Sequence, residues 1–131
     1  MSTSTFLAME RRSTLWGIHA QIVQAVIADR EWKGAEPFDM SVALGIDAPP
    51  ADSAHPVLLV GAAENTSPIR ALGAVVLRQV EVSRVWPVPQ LARSPAHLQT
   101  VSSVAFLEGH LPLLVLDPIA LLAMAKEHAK P

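Results

Sequence analysis

Ser103-Val104-Ala105-Phe106-Leu107-Glu108-Gly109-His110-Leu111-Pro112-Leu113-Leu114-Val115-Leu116-Asp117-Pro118-Ile119-Ala120-Leu121-Leu122 is the stretch on which the fold turns. Two apolar runs flank the turn sequence Glu108-Gly109-His110, so the segment reads as a β-hairpin. The second run ends in Leu116-Asp117-Pro118. An Asp side chain accepts from the free amides of a helix's first turn, and Pro suits the first helical position because its missing N–H has no partner there. The chain therefore closes as strand, turn, strand and helix.

Upstream, Phe6-Leu7-Ala8-Met9 and Thr14-Leu15-Trp16-Gly17-Ile18, joined by Arg11-Arg12-Ser13, predict an opening hairpin. In residues 20–30 the positions Ile22, Val23, Val26 and Ile27 fit a helical period as well as a broken strand, and periodicity leaves both open. Asp39-Met40-Ser41-Val42-Ala43-Leu44-Gly45 predicts a short helix capped by Asp39 and closed by Gly45. A Pro-rich loop at 48–56 divides the two halves of a single domain, 1–131. Pro56-Val57-Leu58-Leu59-Val60-Gly61 reads as a short strand and Ala63-Glu64-Asn65-Thr66-Ser67-Pro68 as a turn-rich link. Residues 72–85 form the longest predicted strand, with Gln79, Glu81 and Ser83 on a wet face, Val80 and Val82 on a buried one, and Gly73 permitting a bend near its start. Residues 91–99 read as irregular. Six or seven short strands with a terminal helix define a mainly β chain, a barrel or sandwich.

The 131 residues suffice for one domain. Half are hydrophobic and 17% charged, which excludes wholesale disorder and leaves apolar surface for partners. Ten basic residues against twelve acidic ones, with Arg11-Arg12 the one adjacent basic pair, offer no basic stripe for nucleic acid. The absence of cysteine excludes disulfides, thiolate zinc sites and a Cys nucleophile. Met1-Ser2-Thr3-Ser4-Thr5-Phe6-Leu7-Ala8-Met9-Glu10 lacks the charged start and apolar core of a signal peptide, and each long apolar run falls short of a bilayer span. These features predict a cytoplasmic protein without membrane insertion.

Gly17-Ile18-His19-Ala20-Gln21-Ile22-Val23-Gln24-Ala25-Val26, the Gly73, Val75, Val76 and Val80 skeleton, and the closing hairpin and helix follow one another in an order that resembles CheW-like coupling domains of bacterial chemosensory systems. The resemblance spans nearly the whole chain. It implies a pair of small SH3-like β-barrels with a short C-terminal helix, acting as an adaptor that holds a methyl-accepting chemoreceptor in the cleft between the barrels and a histidine kinase's CheW-like domain or another coupling protein on other strand edges. Val23, Gln24, Ala25 and Lys33 match the coupling surface. Ala25 stands where the family commonly carries Glu, and Lys33 places a flexible point charge where the family has a planar Arg. The connection after Ile27 is short, with Ile27-Ala28-Asp29-Arg30-Glu31 running almost directly into Lys33-Gly34, Pro37 and Asp39-Met40. That shortened first half is similar to the FrzB type of the frizzy motility system of gliding bacteria, and implies weakened or lost kinase coupling.

Side chains that carry chemistry have plainer explanations. His19, His55, His97, His110 and His128 are far apart and form no metal-binding spacing. Ser94, Ser102 and Ser103 near His97 lack a nucleophile elbow and an orienting acid, and Gly61-Ala62-Ala63-Glu64 lacks the spacing and Lys of a phosphate loop. Asp39 and Asp117 precede helices, where capping accounts for both. Trp16 is expected in the core. Trp32 is either a packing anchor or a partner contact. The expected protein-binding residues are thus Val23, Gln24, Ala25, Trp32 and Lys33, with no catalytic, metal or cofactor site. The rival is a small β-barrel enzyme or ligand-binding protein whose polar groups converge only in space; it would show a pocket of clustered, pKa-perturbed side chains.

Overall fold

Arg12 and Ser13 take positive φ, 53° and 64°, the left-handed pair that a two-residue hairpin turn requires. They join β1 (Thr3–Arg11) to β2 (Thr14–His19), the expected opening hairpin. A computed structural model describes residues 2–46, 55–89 and 100–129. The remaining elements are β3 (Val23–Ile27), β4 (Phe38–Asp39), α1 (Met40–Leu44), β5 (Val57–Ala62), β6 (Asn65–Arg70), β7 (Val75–Glu81), β8 (Val85–Pro87), β9 (Val101–Phe106), β10 (Pro112–Leu116) and α2 (Pro118–Ala129).

The strands form a six-stranded sheet in the order β7-β1-β2-β10-β9-β8 and a four-stranded sheet in the order β3-β5-β6-β4. β7 and β8 lie at opposite edges of the larger sheet, yet only the 3₁₀ turn Val82–Arg84 separates them in the chain. Three residues cannot cross a flat six-stranded sheet, whose strands are spaced about 4.8 Å apart, so the sheet curls into an open barrel in which β7 and β8 adjoin at the corner without pairing. A matching 3₁₀ turn, Ala20–Ile22, carries the chain from β2 into β3. The residues before the two turns, His19 and Glu81, have φ/ψ of −58°/126° and −60°/136°; those after, Val23 and Val85, have −102°/111° and −106°/118°. The same corner is built twice, once in each half.

Four consecutive residues of β1, Phe6 to Met9, are buried because the strand is a wall between two cores. Successive side chains point to opposite faces. Phe6 and Ala8 enter the barrel interior with Val80, Ala105, Leu107, Leu113 and Val115. Leu7 and Met9 face the second core, which includes Ile18, Phe38, Met40, Leu58, Val60, Ile69, Leu116 and Leu121 and so ties both sheets to both helices. α1 follows the expected cap: Asp39 Oδ1 accepts from Ser41 N at 2.9 Å, and Gly45 closes it at φ 66°. α2 likewise starts at Asp117, whose Oδ1 accepts from Ile119 N at 2.9 Å.

Several expectations are corrected. Among the described residues there are ten strands rather than six or seven, divided six and four between the sheets. Residues 20–30, left open between helix and broken strand, take the strand: the 3₁₀ turn Ala20–Ile22 leads into β3. The link at 63–68 turns only at Ala63-Glu64, and Asn65, Thr66, Ser67 and Pro68 belong to β6. Pro68 is tolerated in this strand because β4 pairs only with Ile69 and Arg70, which leaves Pro68 at an open edge. The strand expected over 72–85 is β7, broken at Val82–Arg84, and the nine-residue β1 is longer. The Pro-rich loop at 48–56, apart from His55 and Pro56, and the segment 91–99 lie outside the described residues.

Candidate functional site

Two edge strands, β3 of the smaller sheet and β7 of the larger, flank an open groove of about 470 Å³. Leu7 of β1, Val75 and Leu77 of β7, Ala20 of the first corner, and Val23, Gln24, Ala25 and Val26 line it. No charged side chain is among them. Val26 and Leu77 are 49% and 64% exposed, a large aliphatic surface to leave in water.

Gln24 owes its position to a β-bulge. Val23 pairs with Val60 and Ala25 with Leu59, so Gln24 has no opposite residue and swings outward. Its side-chain amide donates to the Gly61 carbonyl at 2.8 Å. Gly61 sits at φ 131°, a region closed to side chains, and a Cβ there would come within 2.5 Å of the Asn65 carbonyl oxygen. The glycine thus sets the carbonyl that holds Gln24.

The structure brings three of the five expected residues, Val23, Gln24 and Ala25, into one groove. Trp32 and Lys33 do not line it; they follow the 3₁₀ turn Asp29–Glu31 in the loop leading to β4. Trp32 folds over its own loop, with Nε1 donating to the Ala35 carbonyl at 2.8 Å and the ring occupying the space a side chain at Gly34 would need. It is half-buried, and Lys33 is exposed. The loop is anchored at its start by an ion pair between Asp29 and Arg70, whose guanidinium also donates to the His55 carbonyl at 3.0 Å.

The sequence reading missed Leu77, although a signal was present: it shares strand parity with Gln79 and Glu81, and a large aliphatic on a wet face marks a contact surface. Leu7 carried no such signal, since nothing local distinguishes it from its buried neighbours. The corner's other side holds a polar cleft lined by Thr3, Ser4, Thr5, His19 and Gln21. His19 packs against Phe6 with ring centroids 4.8 Å apart, and burial lowers its pKa from the ordinary 6.5. Hydroxyls and an amide around a neutral imidazole supply no acid to orient it as a base.

Over 88% of this chain and 90% of the other, the structure matches that of the scaffolding protein TtCheW from Thermoanaerobacter tengcongensis, with a TM-score of 0.68 at 12% sequence identity. The fold is CheW-like. No protein-family model and no curated protein matches the sequence. Within the CheW-like architecture the two repeated corners differ in what they present. The first lends Ala20 to the apolar groove, whereas the second carries Ser83, Arg84 and the 62% exposed Trp86 beside Phe106.

Proposed function

We propose that this chain, as a single domain, is a non-enzymatic chemosensory adaptor that receives a segment of a methyl-accepting chemoreceptor in the groove between β3 and β7. The observation that carries the reading is that groove: open, aliphatic and uncharged, in a CheW-like fold whose solved neighbour is a scaffolding protein. A catalytic pocket needs convergent polar groups; a docking groove needs apolar area that water leaves readily. The groove has the second character.

The adaptor is a shortened form, of the FrzB type, working in the cytoplasm as part of a signalling array. Its coupling to a histidine kinase is weakened. Ala25 offers a methyl where a carboxylate would make a charge-assisted contact, and the exposed Lys33 offers a single flexible ammonium instead of a bidentate guanidinium.

Calorimetric titration of the purified protein against the cytoplasmic tip of a cognate receptor, and separately against the kinase's CheW-like domain, tests this. Binding to the receptor tip and weak or no binding to the kinase domain is the expected pattern. Replacing Val23→Ser together with Val26→Ser, both of which line the groove, should weaken receptor binding about tenfold, or ~1.4 kcal/mol, with the melting temperature little changed. A double variant that binds as tightly as wild type would remove the assignment of this surface.

A further inference from the structure

β7 is an unprotected strand edge. It pairs with β1 on one side, and among the described residues no strand lies on the other. Strands turned to solvent are usually blunted by Pro, Lys, a bulge or short length. β7 runs for seven residues without Pro or Gly, its two charges, Arg78 and Glu81, are of opposite sign, and its pairing with β1 has no register shift. Val76 is 52% and Leu77 64% exposed, and Arg78 and Gln79 are exposed as well. Neighbouring residues point to opposite faces, so four exposed in a row mean that the strand is uncovered from both.

The direction of its main-chain groups follows from one hydrogen bond. Val82 N donates to the Ser2 carbonyl at 3.1 Å, continuing the ladder in which Thr3 faces Glu81 and Ser4 faces Val80. In an antiparallel pair, hydrogen-bonded and non-bonded positions alternate. Val80, Arg78 and Val76 therefore bond to β1, while Glu81, Gln79 and Leu77 turn their N–H and C=O groups outward to the free edge.

We propose that two copies of this chain associate through β7, antiparallel about a two-fold axis at Gln79, joining their six-stranded sheets into one. This register sets Gln79 against Gln79 of the second copy and Leu77 against Glu81, so outward-pointing groups meet outward-pointing groups. On the opposite face it sets the exposed Val76 against Val82, itself 49% exposed, burying apolar surface on both sides of the axis. Arg78 faces Val80, so no like charges oppose each other. Centring the pair on Arg78 would stack two guanidinium groups, and centring it on Glu81 two carboxylates, each destabilising.

Sedimentation equilibrium from about 1 µM to about 1 mM reads the association. Wild type should show a concentration-dependent monomer–dimer equilibrium. Gln79→Pro removes an outward N–H without touching the ladder to β1, so it should leave the circular dichroism spectrum intact and abolish the dimer. Gln79→Lys and Gln79→Glu test the register without proline: each alone should raise the dimer dissociation constant at least about tenfold, and an equimolar mixture should restore it as a heterodimer. A wild type that stays monomeric to the highest concentration, a dimer indifferent to Gln79→Pro, or a mixture that fails to recover would each overturn the proposal. Val75 and Leu77 of β7 also wall the receptor groove, so a second copy and a receptor segment compete for this edge; receptor titration of the monomeric Gln79→Pro protein, whose altered residue does not line the groove, reports on the adaptor reading free of that competition.

Discussion

Glycine acts at two positions where the fold leaves no room for a side chain. At Gly17 a Cβ would lie 2.9 Å from Leu113, which is fully buried and cannot retreat, so the Gly-Ile of β2 is a packing requirement of the parallel β2–β10 contact. At Gly61 the constraint is conformational as well as steric. Gly61→Ala should destabilise the protein on the order of 2 kcal/mol in urea unfolding, and loosen Gln24 by displacing the carbonyl it donates to. His19 makes a different demand. Its burial penalises the imidazolium, so the unfolded chain takes up the proton first as pH falls below about 6.5. Its contribution to stability is therefore full above that pH and is lost as pH falls through the lowered folded value. Thermal melts between about pH 5 and pH 7 should show stability rising with pH, and His19→Gln should flatten that part of the slope. An unchanged slope in the variant would place the proton uptake elsewhere.

Elements with a local chemical cause could be read in advance. Asp39 and Gly45 bound α1, Asp117 and Pro118 start α2, and the Glu108-Gly109-His110 turn closes β9 onto β10, with Gly109 at φ 78°. Elements decided by distant partners could not. Nothing within residues 20–30 says that Val23 will meet Val60, and only that pairing makes β3 a strand. The break in the strand expected over 72–85 is equally nonlocal, because Val82–Arg84 must turn to bring β8 to the far edge of the sheet. Val85 and Trp86 reach β9 across residues remote in sequence. The candidate site divides the same way. Val23, Gln24 and Ala25 lie on one strand and were found together, while Leu7, Val75 and Leu77 join them only through tertiary contact. Trp32 and Lys33, although near in sequence, belong to a loop with its own anchors.

At the scale of the molecule, the groove's lack of charge sets how the receptor segment of the proposed adaptor would be held. Aliphatic contact is not screened by ions, whereas ion pairs and steering are. Receptor affinity measured at about 50 mM and about 500 mM NaCl should differ by less than about threefold; a steep loss with salt would locate the binding energy on charged side chains outside the groove instead. The position of β1 between two cores bears on synthesis. The β1–β2 hairpin is made before the residues it packs against: Phe6 and Ala8 need Leu113 and Val115, and Leu7 and Met9 need Leu58, Ile69 and Leu116. Its strand partners β7 and β10 are among the later segments made. Phe6 to Met9 must therefore wait, apolar on both sides, until the later strands are made, which makes this stretch of β1 a natural client for a chaperone.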